Sequence, residues 1–137
     1  MAVLRVSGRD FEVDAYLAQS RLVPYRVFYA DEPRPGPRRD PSAPARSGFV
    51  VTVSRAELHD LPGQVGDACT FLEEYGDVLA ALGTWPGVED LRLDFGVALR
   101  SGPGDSGTQF DYFPPRLVRL AGALGLGLEL SIYPGPG

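Results

Sequence analysis

The spacing of apolar residues changes along the chain, and each spacing predicts a different kind of element. Strand patterns, in which apolar and polar residues alternate or β-branched and aromatic residues cluster, occur in four segments: 3–7, 25–30, 49–54 and 91–99. Residues 61–82 instead carry apolar side chains at three- and four-residue steps, which predicts one long helix with a core-facing side. A shorter pattern of the same kind predicts a helix at residues 10–20.

The last third of the chain has the most complete set of local signals. Pro114 and Pro115 suit the first positions of a helix, where backbone N–H groups have no partner within the helix. The helix predicted for residues 116–124 ends at Gly125, which can adopt the left-handed conformation that closes a helix. One face of the strand that follows is apolar and is expected to be buried. It consists of Leu126, Leu128, Leu130 and Ile132.

The order of the predicted elements is β-α-β-β-α-β-α-β, which defines an α+β fold in a single domain, residues 1–137. The first six elements match a split β-α-β, ferredoxin-like arrangement, and one helix and one strand follow. We therefore expect about five strands in a mostly antiparallel sheet, with two to three helices packed on one face. Two loops are expected: a flexible one rich in proline and arginine at 31–47, and a glycine-rich one at 101–109.

Composition narrows the chemistry that the chain can perform. The 137 residues include one cysteine, Cys69, and one histidine, His59, which excludes an internal disulfide and a typical zinc site. All 13 basic residues are arginine, which excludes a Schiff-base lysine and the phosphate-binding loop that ends in Gly-Lys. The N-terminus lacks the features of a secretory signal, and no apolar run is long enough for a membrane helix. We therefore expect a cytoplasmic protein, and no cofactor is indicated.

The remaining candidates for catalysis are weak. Residues 104–107, Gly-Asp-Ser-Gly, match the surroundings of a serine-protease nucleophile, but His59 lies in a polar turn and the chain is too short for that scaffold. Asp90 and Asp94 share one face of a predicted strand, where solvent exposure explains them better than metal binding. Cys69 is expected to be a buried apolar side chain of the long helix. We therefore expect a protein that is not an enzyme.

Aromatic residues before the last helix permit two interpretations. Phe110, Tyr112 and Phe113 precede it, and Tyr133 follows in the last strand. Such residues at the start of a helix usually pack into the core, and this interpretation is favoured. The alternative is a groove lined by aromatic rings.

Charge is distributed unevenly along the chain. Residues 1–55 hold nine arginines and six acids, whereas residues 56–94 hold nine acids and one arginine. A solvated helix face is the simpler interpretation of the acidic region. The alternative is a surface that attracts a basic protein and speeds association with it. The candidate partner-binding residues are Asp67, Glu73, Glu74, Asp77, Glu89 and Asp90.

Three stretches carry a family resemblance. They are residues 7–14 (Ser-Gly-Arg-Asp-Phe-Glu-Val-Asp), 87–95 (Gly-Val-Glu-Asp-Leu-Arg-Leu-Asp-Phe) and 113–134, which ends in a helix, Leu-Gly, a strand and Tyr-Pro. Together they resemble a family of small, uncharacterised bacterial proteins suspected to be immunity proteins of polymorphic-toxin systems. The resemblance covers most of the chain except the loop at 31–47, and it brings no catalytic motif.

The resemblance implies an immunity protein that masks the active site of a cognate toxin, and the toxin domain would be basic. The alternative is a regulatory or structural module that binds a small ligand or a host protein. The net charge of −5 argues against nucleic acid as the partner. The expected state is a monomer or a homodimer, because an exposed strand edge can pair with a second copy.

Overall fold

A computed structural model of the chain describes residues 1–32, 45–100 and 107–134. The loops predicted at 31–47 and 101–109 lie largely outside the described residues. The elements follow one another as β1 (Ala2–Gly8), α1 (Val13–Leu17), β2 (Arg26–Phe28), β3 (Ser47–Ser54), α2 (Leu61–Glu74), α3 (Gly76–Leu82), β4 (Asp90–Ala98), α4 (Pro115–Ala123) and β5 (Gly127–Tyr133). The α+β class and the five strands predicted from the sequence are confirmed.

The strands form one mixed sheet in the order β2-β3-β1-β4-β5. β1 lies antiparallel to both β3 and β4, and β2 lies antiparallel to β3. These four strands have the order of a split β-α-β, ferredoxin-like sheet. β5 extends that sheet beyond β4 in a parallel direction, which is possible because α4 carries the chain back between the two strands.

One face of the sheet is covered by the helices. Leu4, Phe49 and Phe95 alternate onto this face from the three central strands and are fully buried. The helices meet them with their own buried side chains, which include Val13, Tyr16, Leu72, Leu79 and Leu117. Cys69 is buried in the same core, as predicted.

The predicted long helix is divided into two. α2 begins at Leu61 and is capped by Asp60, whose side chain accepts a hydrogen bond from the backbone N–H of Gly63 at 2.9 Å. At Tyr75 the backbone leaves helical geometry, with φ −105° and ψ 16°, and α3 starts at Gly76. The apolar spacing continues across this break, so the periodicity alone predicted one helix. The described residues consequently form four helices where two to three were expected.

In the C-terminal module the helix lies within one residue of its predicted limits, whereas the predicted burial of the strand is corrected. Gly125 has φ +72°, and the N–H of Leu126 donates to the carbonyl of Ala121 at 2.9 Å, which closes α4. In β5, however, Leu128 is 37% exposed and Ile132 is 52% exposed. Among the described residues β5 is the last strand of the sheet and has a neighbouring strand on one side, β4. Among the described residues no helix has the length and apolar character to cross a membrane.

Candidate protein-interaction surfaces

Four of the predicted partner-binding acids lie on the helical layer, but they do not form one uniform face. The Asp67 carboxylate accepts a hydrogen bond from the Ser54 hydroxyl at 2.6 Å, on the side of α2 that faces β3. Glu73 instead pairs with Arg116 at the start of α4. Glu74 is exposed, and no arginine among the described residues pairs with its carboxylate. All four acids are nevertheless exposed, as expected for a solvated helix face, and they differ only in their neighbours, because α2 packs between β3 and α4.

Asp77 is compensated by a neighbouring arginine. The Arg21 guanidinium donates to both carboxylate oxygens of Asp77, at 2.7 and 2.9 Å, and its charge lies over the ring of Tyr75. The hydrogen bond from Arg21, together with the backbone N–H of Val78, lowers the pKa of Asp77 to about 2. The carboxylate is thus fully charged at neutral pH, but the arginine beside it reduces its attraction for a basic partner.

The last two acids, Glu89 and Asp90, lie away from the helical layer, where β1 ends and β4 begins. Glu89 accepts hydrogen bonds from the Arg9 guanidinium, the shortest at 2.8 Å, and from the Arg9 backbone N–H at 2.6 Å. These bonds lower the pKa of Glu89 to about 2. Asp90 pairs with Arg92 on the sheet face opposite the helices. Glu89 also lies 3.9 Å from the Arg46 guanidinium, so each of these two acids is paired with arginine within the chain, and a structural role accounts for both.

The same sheet face carries a buried carboxylate. Asp94 is only 6% exposed, which corrects the expected solvent exposure of this residue. Its oxygens accept hydrogen bonds from the Ser131 hydroxyl at 2.6 Å and from Arg5 at 3.2 Å. Asp94 therefore ties β1, β4 and β5 together. Alternation within β4 predicted the face on which Asp94 lies, but not the arginine and serine that neighbouring strands bring to it.

An aromatic segment, residues 109–113, carries two strongly exposed aromatic side chains. Phe110 is 82% exposed and Tyr112 is 71% exposed, whereas Phe113 packs against Phe95 with ring centroids 5.1 Å apart. The expectation that these aromatics pack into the core is thus wrong for Phe110 and Tyr112. Burial alternates along the segment: Gln109, Asp111 and Phe113 are half-buried, whereas Phe110 and Tyr112 are exposed.

Hydrogen bonds hold this aromatic segment against the end of β4. The Gln109 side chain accepts from the backbone N–H of Arg100 at 2.9 Å and donates to the Ala98 carbonyl at 3.2 Å. Arg100 donates to the Phe110 carbonyl and to the Asp111 carboxylate, at 2.9 and 2.8 Å. Burial raises the pKa of Asp111, but the hydrogen bonds from Arg100 and Gln109 outweigh this effect and leave it below its usual value.

A groove of about 560 Å³ opens at the opposite edge of the sheet. β2 pairs with residues 48–50 of β3, and in the described part of the chain no strand lies beside the following residues of β3 on that side. The lining comprises Val23, Pro24, Tyr25, Thr52, Val53, Ser54, Arg55 and Asp67. The volume falls in the range of small-molecule sites, with one cationic and one anionic side chain at its wall.

The structure places His59 in an exposed turn. Within residues 1–32, 45–100 and 107–134, no group of three or more His, Cys, Asp and Glu side chains is arranged to hold a metal ion. The Gly-Asp-Ser-Gly tetrapeptide lies almost wholly outside the described residues. No protein-family model, curated protein or solved structure matches the chain.

Proposed function

We propose that the chain is a non-catalytic protein-binding domain that docks on its partner through the aromatic segment. The observation that carries the proposal is the exposure of Phe110 and Tyr112 on a segment fixed by Arg100, Gln109 and Asp111. Aromatic side chains held in place before binding lose little conformational entropy when they are buried, and such residues dominate binding energy in protein interfaces.

The end of α2, which carries Glu73 and Glu74, lies near the start of α4. The ion pair between Arg116 and Glu73 brings the start of α4, three residues after Phe113, next to the end of α2. Glu74 lies beside Glu73 there, and its carboxylate has no arginine partner among the described residues. A partner with basic side chains around an apolar depression fits this arrangement, because exposed acids would guide the encounter and the aromatic rings would fill the depression.

The proposed partner class is a toxin whose active site the domain masks in the cytoplasm, as the family resemblance implies. Masking requires only shape and charge, which suits a chain for which the sequence indicates no catalytic set. In this role Asp67, Glu74 and Asp77 supply long-range attraction, and Phe110 and Tyr112 supply the buried contact.

The test begins with capture of a partner by purified, tagged protein from lysate of the source organism at low and high salt. The double variant Phe110→Ser/Tyr112→Ser is compared with Val23→Ser, which alters an equally exposed apolar residue at the opposite sheet edge. We expect one stoichiometric protein on the wild type and on the control, lost from the double variant. Retention of no protein by the wild type would contradict the proposal.

The captured protein is then produced alone and together with the chain in a neutral host. An immunity role predicts that the partner arrests growth and that co-expression of the chain restores it. The triple variant Asp67→Ala/Glu74→Ala/Asp77→Ala is expected to bind more slowly at low salt and to lose most of the salt dependence. Unchanged association kinetics in this variant would contradict the electrostatic part of the proposal.

The second candidate is a regulatory or structural module that binds a small ligand, and the groove beside β3 favours it. Arg55 and Asp67 offer opposite charges at the wall of a space of about 560 Å³. A thermal-shift screen tests this function, with Thr52→Trp as a variant that fills the groove. A compound that raises the melting temperature of the wild type but not of Thr52→Trp would favour the second candidate.

A further inference from the structure

We propose that the free edge of β5 pairs with β5 of a second copy, antiparallel and centred on Leu130, so that two sheets join into one. In the described part of the chain, β5 has only β4 as a neighbour. Its sequence, Gly-Leu-Glu-Leu-Ser-Ile-Tyr, contains no proline or lysine, the residues that usually protect an edge strand from pairing.

The register follows from the direction of the backbone groups. The Tyr133 carbonyl accepts a hydrogen bond from the N–H of Leu99, so Tyr133 directs its backbone groups toward β4. By alternation along the strand, the groups that face outward belong to Leu128, Leu130 and Ile132. A two-fold axis at Leu130 pairs it with itself and pairs Leu128 with Ile132 of the second copy. All the outward groups of these residues are then satisfied, by about six hydrogen bonds across the interface.

The side chains agree with this register on both faces of the sheet. On the helix-covered face, Leu128 and Ile132 are partly exposed in the single chain, and pairing would bury each against the other. On the other face, Glu129 lies opposite Ser131 of the second copy, so the two Glu129 carboxylates are only diagonal neighbours. No like charges therefore meet directly across the interface.

The ends of the strand are also complementary in size and charge. The register places Tyr133 of the second copy opposite Gly127, which has no side chain to obstruct the ring. Arg92 lies beside Gly127 on β4 and keeps 40% of its side chain exposed. The guanidinium and the aromatic ring then share one row of the extended sheet, an arrangement in which a cation attracts the face of a ring. These features favour a second copy of this chain over an unrelated strand.

The first test measures the mass in solution by sedimentation over a wide range of protein concentration. The wild type is expected to approach twice the chain mass of 14.8 kDa. Ile132→Pro removes one outward N–H per copy without touching the bonds to β4, and it is expected to weaken the dimer about thirtyfold. Val23→Ser, at the opposite edge, is expected to leave the dimer intact. A wild type that stays monomeric throughout would overturn the proposal.

Cysteine cross-linking tests the register independently of the proline variant. Leu130→Cys places two thiols across the two-fold axis, within the Cα separation that a disulfide spans. Leu128→Cys is the matched control, because its counterpart in the second copy lies four residues away along the paired strand. Rapid oxidation of the first variant alone supports the register, and the native Cys69 is buried. Equal oxidation of both variants, or of neither, contradicts it.

Discussion

The substitution Gly8→Ala tests whether the junction between β1 and the turn before β4 holds the sheet together. A Cβ atom at Gly8 would lie 1.7 Å from the carbonyl oxygen of Gly87. Gly87 cannot easily move away, because it has φ +87° in a turn closed by the hydrogen bond from the Val88 N–H to the Trp85 carbonyl. The contact therefore joins two rigid stretches of backbone.

The size of the effect follows from the displacement that the methyl group requires. The carbonyl of Gly87 would have to retreat by about 1.3 Å to reach the 3.0 Å limit seen for real Cβ contacts. That movement strains the adjacent bond from the Glu89 N–H to the Ser7 carbonyl, now 3.0 Å long. Overpacking of this kind costs about 1–3 kcal/mol and a lost hydrogen bond about 1 kcal/mol. We therefore expect Gly8→Ala to lower the free energy of unfolding by about 2–4 kcal/mol, a large part of a domain's stability.

Urea unfolding followed by tryptophan fluorescence measures this loss. The chain has one tryptophan, Trp85, whose ring packs edge-on against the Tyr16 ring with the centroids 5.2 Å apart. Because Trp85 lies in the turn that contains Gly87, its fluorescence reports on this junction. Gly66→Ala is the matched control, because a Cβ at that helical position meets no atom within 4 Å. The control is expected to gain about 0.5–1 kcal/mol from the lower entropy of its unfolded chain. A Gly8→Ala protein within about 0.5 kcal/mol of the wild type would refute the reasoning about this junction.

Three further predictions follow from the described contacts. The pKa values of Asp77 and Glu89 lie at about 2 in the folded chain, below their unfolded values. The contribution of these two carboxylates to the free energy of unfolding should therefore be fully present above about pH 5 and be lost as the pH falls toward 2. Urea midpoints across this range check the sign, and stability that rises on acidification contradicts it. Asp94→Asn should cost about 1.5–3 kcal/mol in urea unfolding, because its bonds to arginine and serine lose the charge that strengthens them. An unchanged midpoint would show that the buried pair contributes nothing. Phe113 is partly buried against the core, so Phe113→Ala should cost about 1–3 kcal/mol and Phe110→Ala almost nothing, and equal costs would contradict their different burial.

Local signals in the sequence predicted the order of the elements because each signal acts within a few residues. Pro115 at the start of α4 and Gly125 after its end are local backbone effects, and both predictions are confirmed. The alternation that predicted β4 is equally local. The break between α2 and α3 at Tyr75 was not predicted, because the apolar spacing continues through it. What changes there is the backbone of one residue, whose ring contacts Phe71 and Arg21.

Contacts between distant segments could not be predicted from spacing. Asp94 is buried because Arg5 and Ser131, from two other strands, happen to flank it. The acids of α2 lean to opposite sides because their partners lie on β3 and α4. For the aromatic segment a usable signal did exist. If burial alternates along the segment, packing of Phe113 against the core implies an exposed Tyr112 and a half-buried Asp111, which is the observed pattern.

Titration calorimetry with the purified partner tests the proposed binding surface most directly. The wild type, Phe110→Ala/Tyr112→Ala and the control Val23→Ala are compared under the same salt conditions. Because Phe110 and Tyr112 are largely exposed, their removal should leave folding intact and weaken binding by about a hundredfold or more. The control should bind like the wild type. Equal affinity for all three proteins would show that the partner docks elsewhere and would contradict the account.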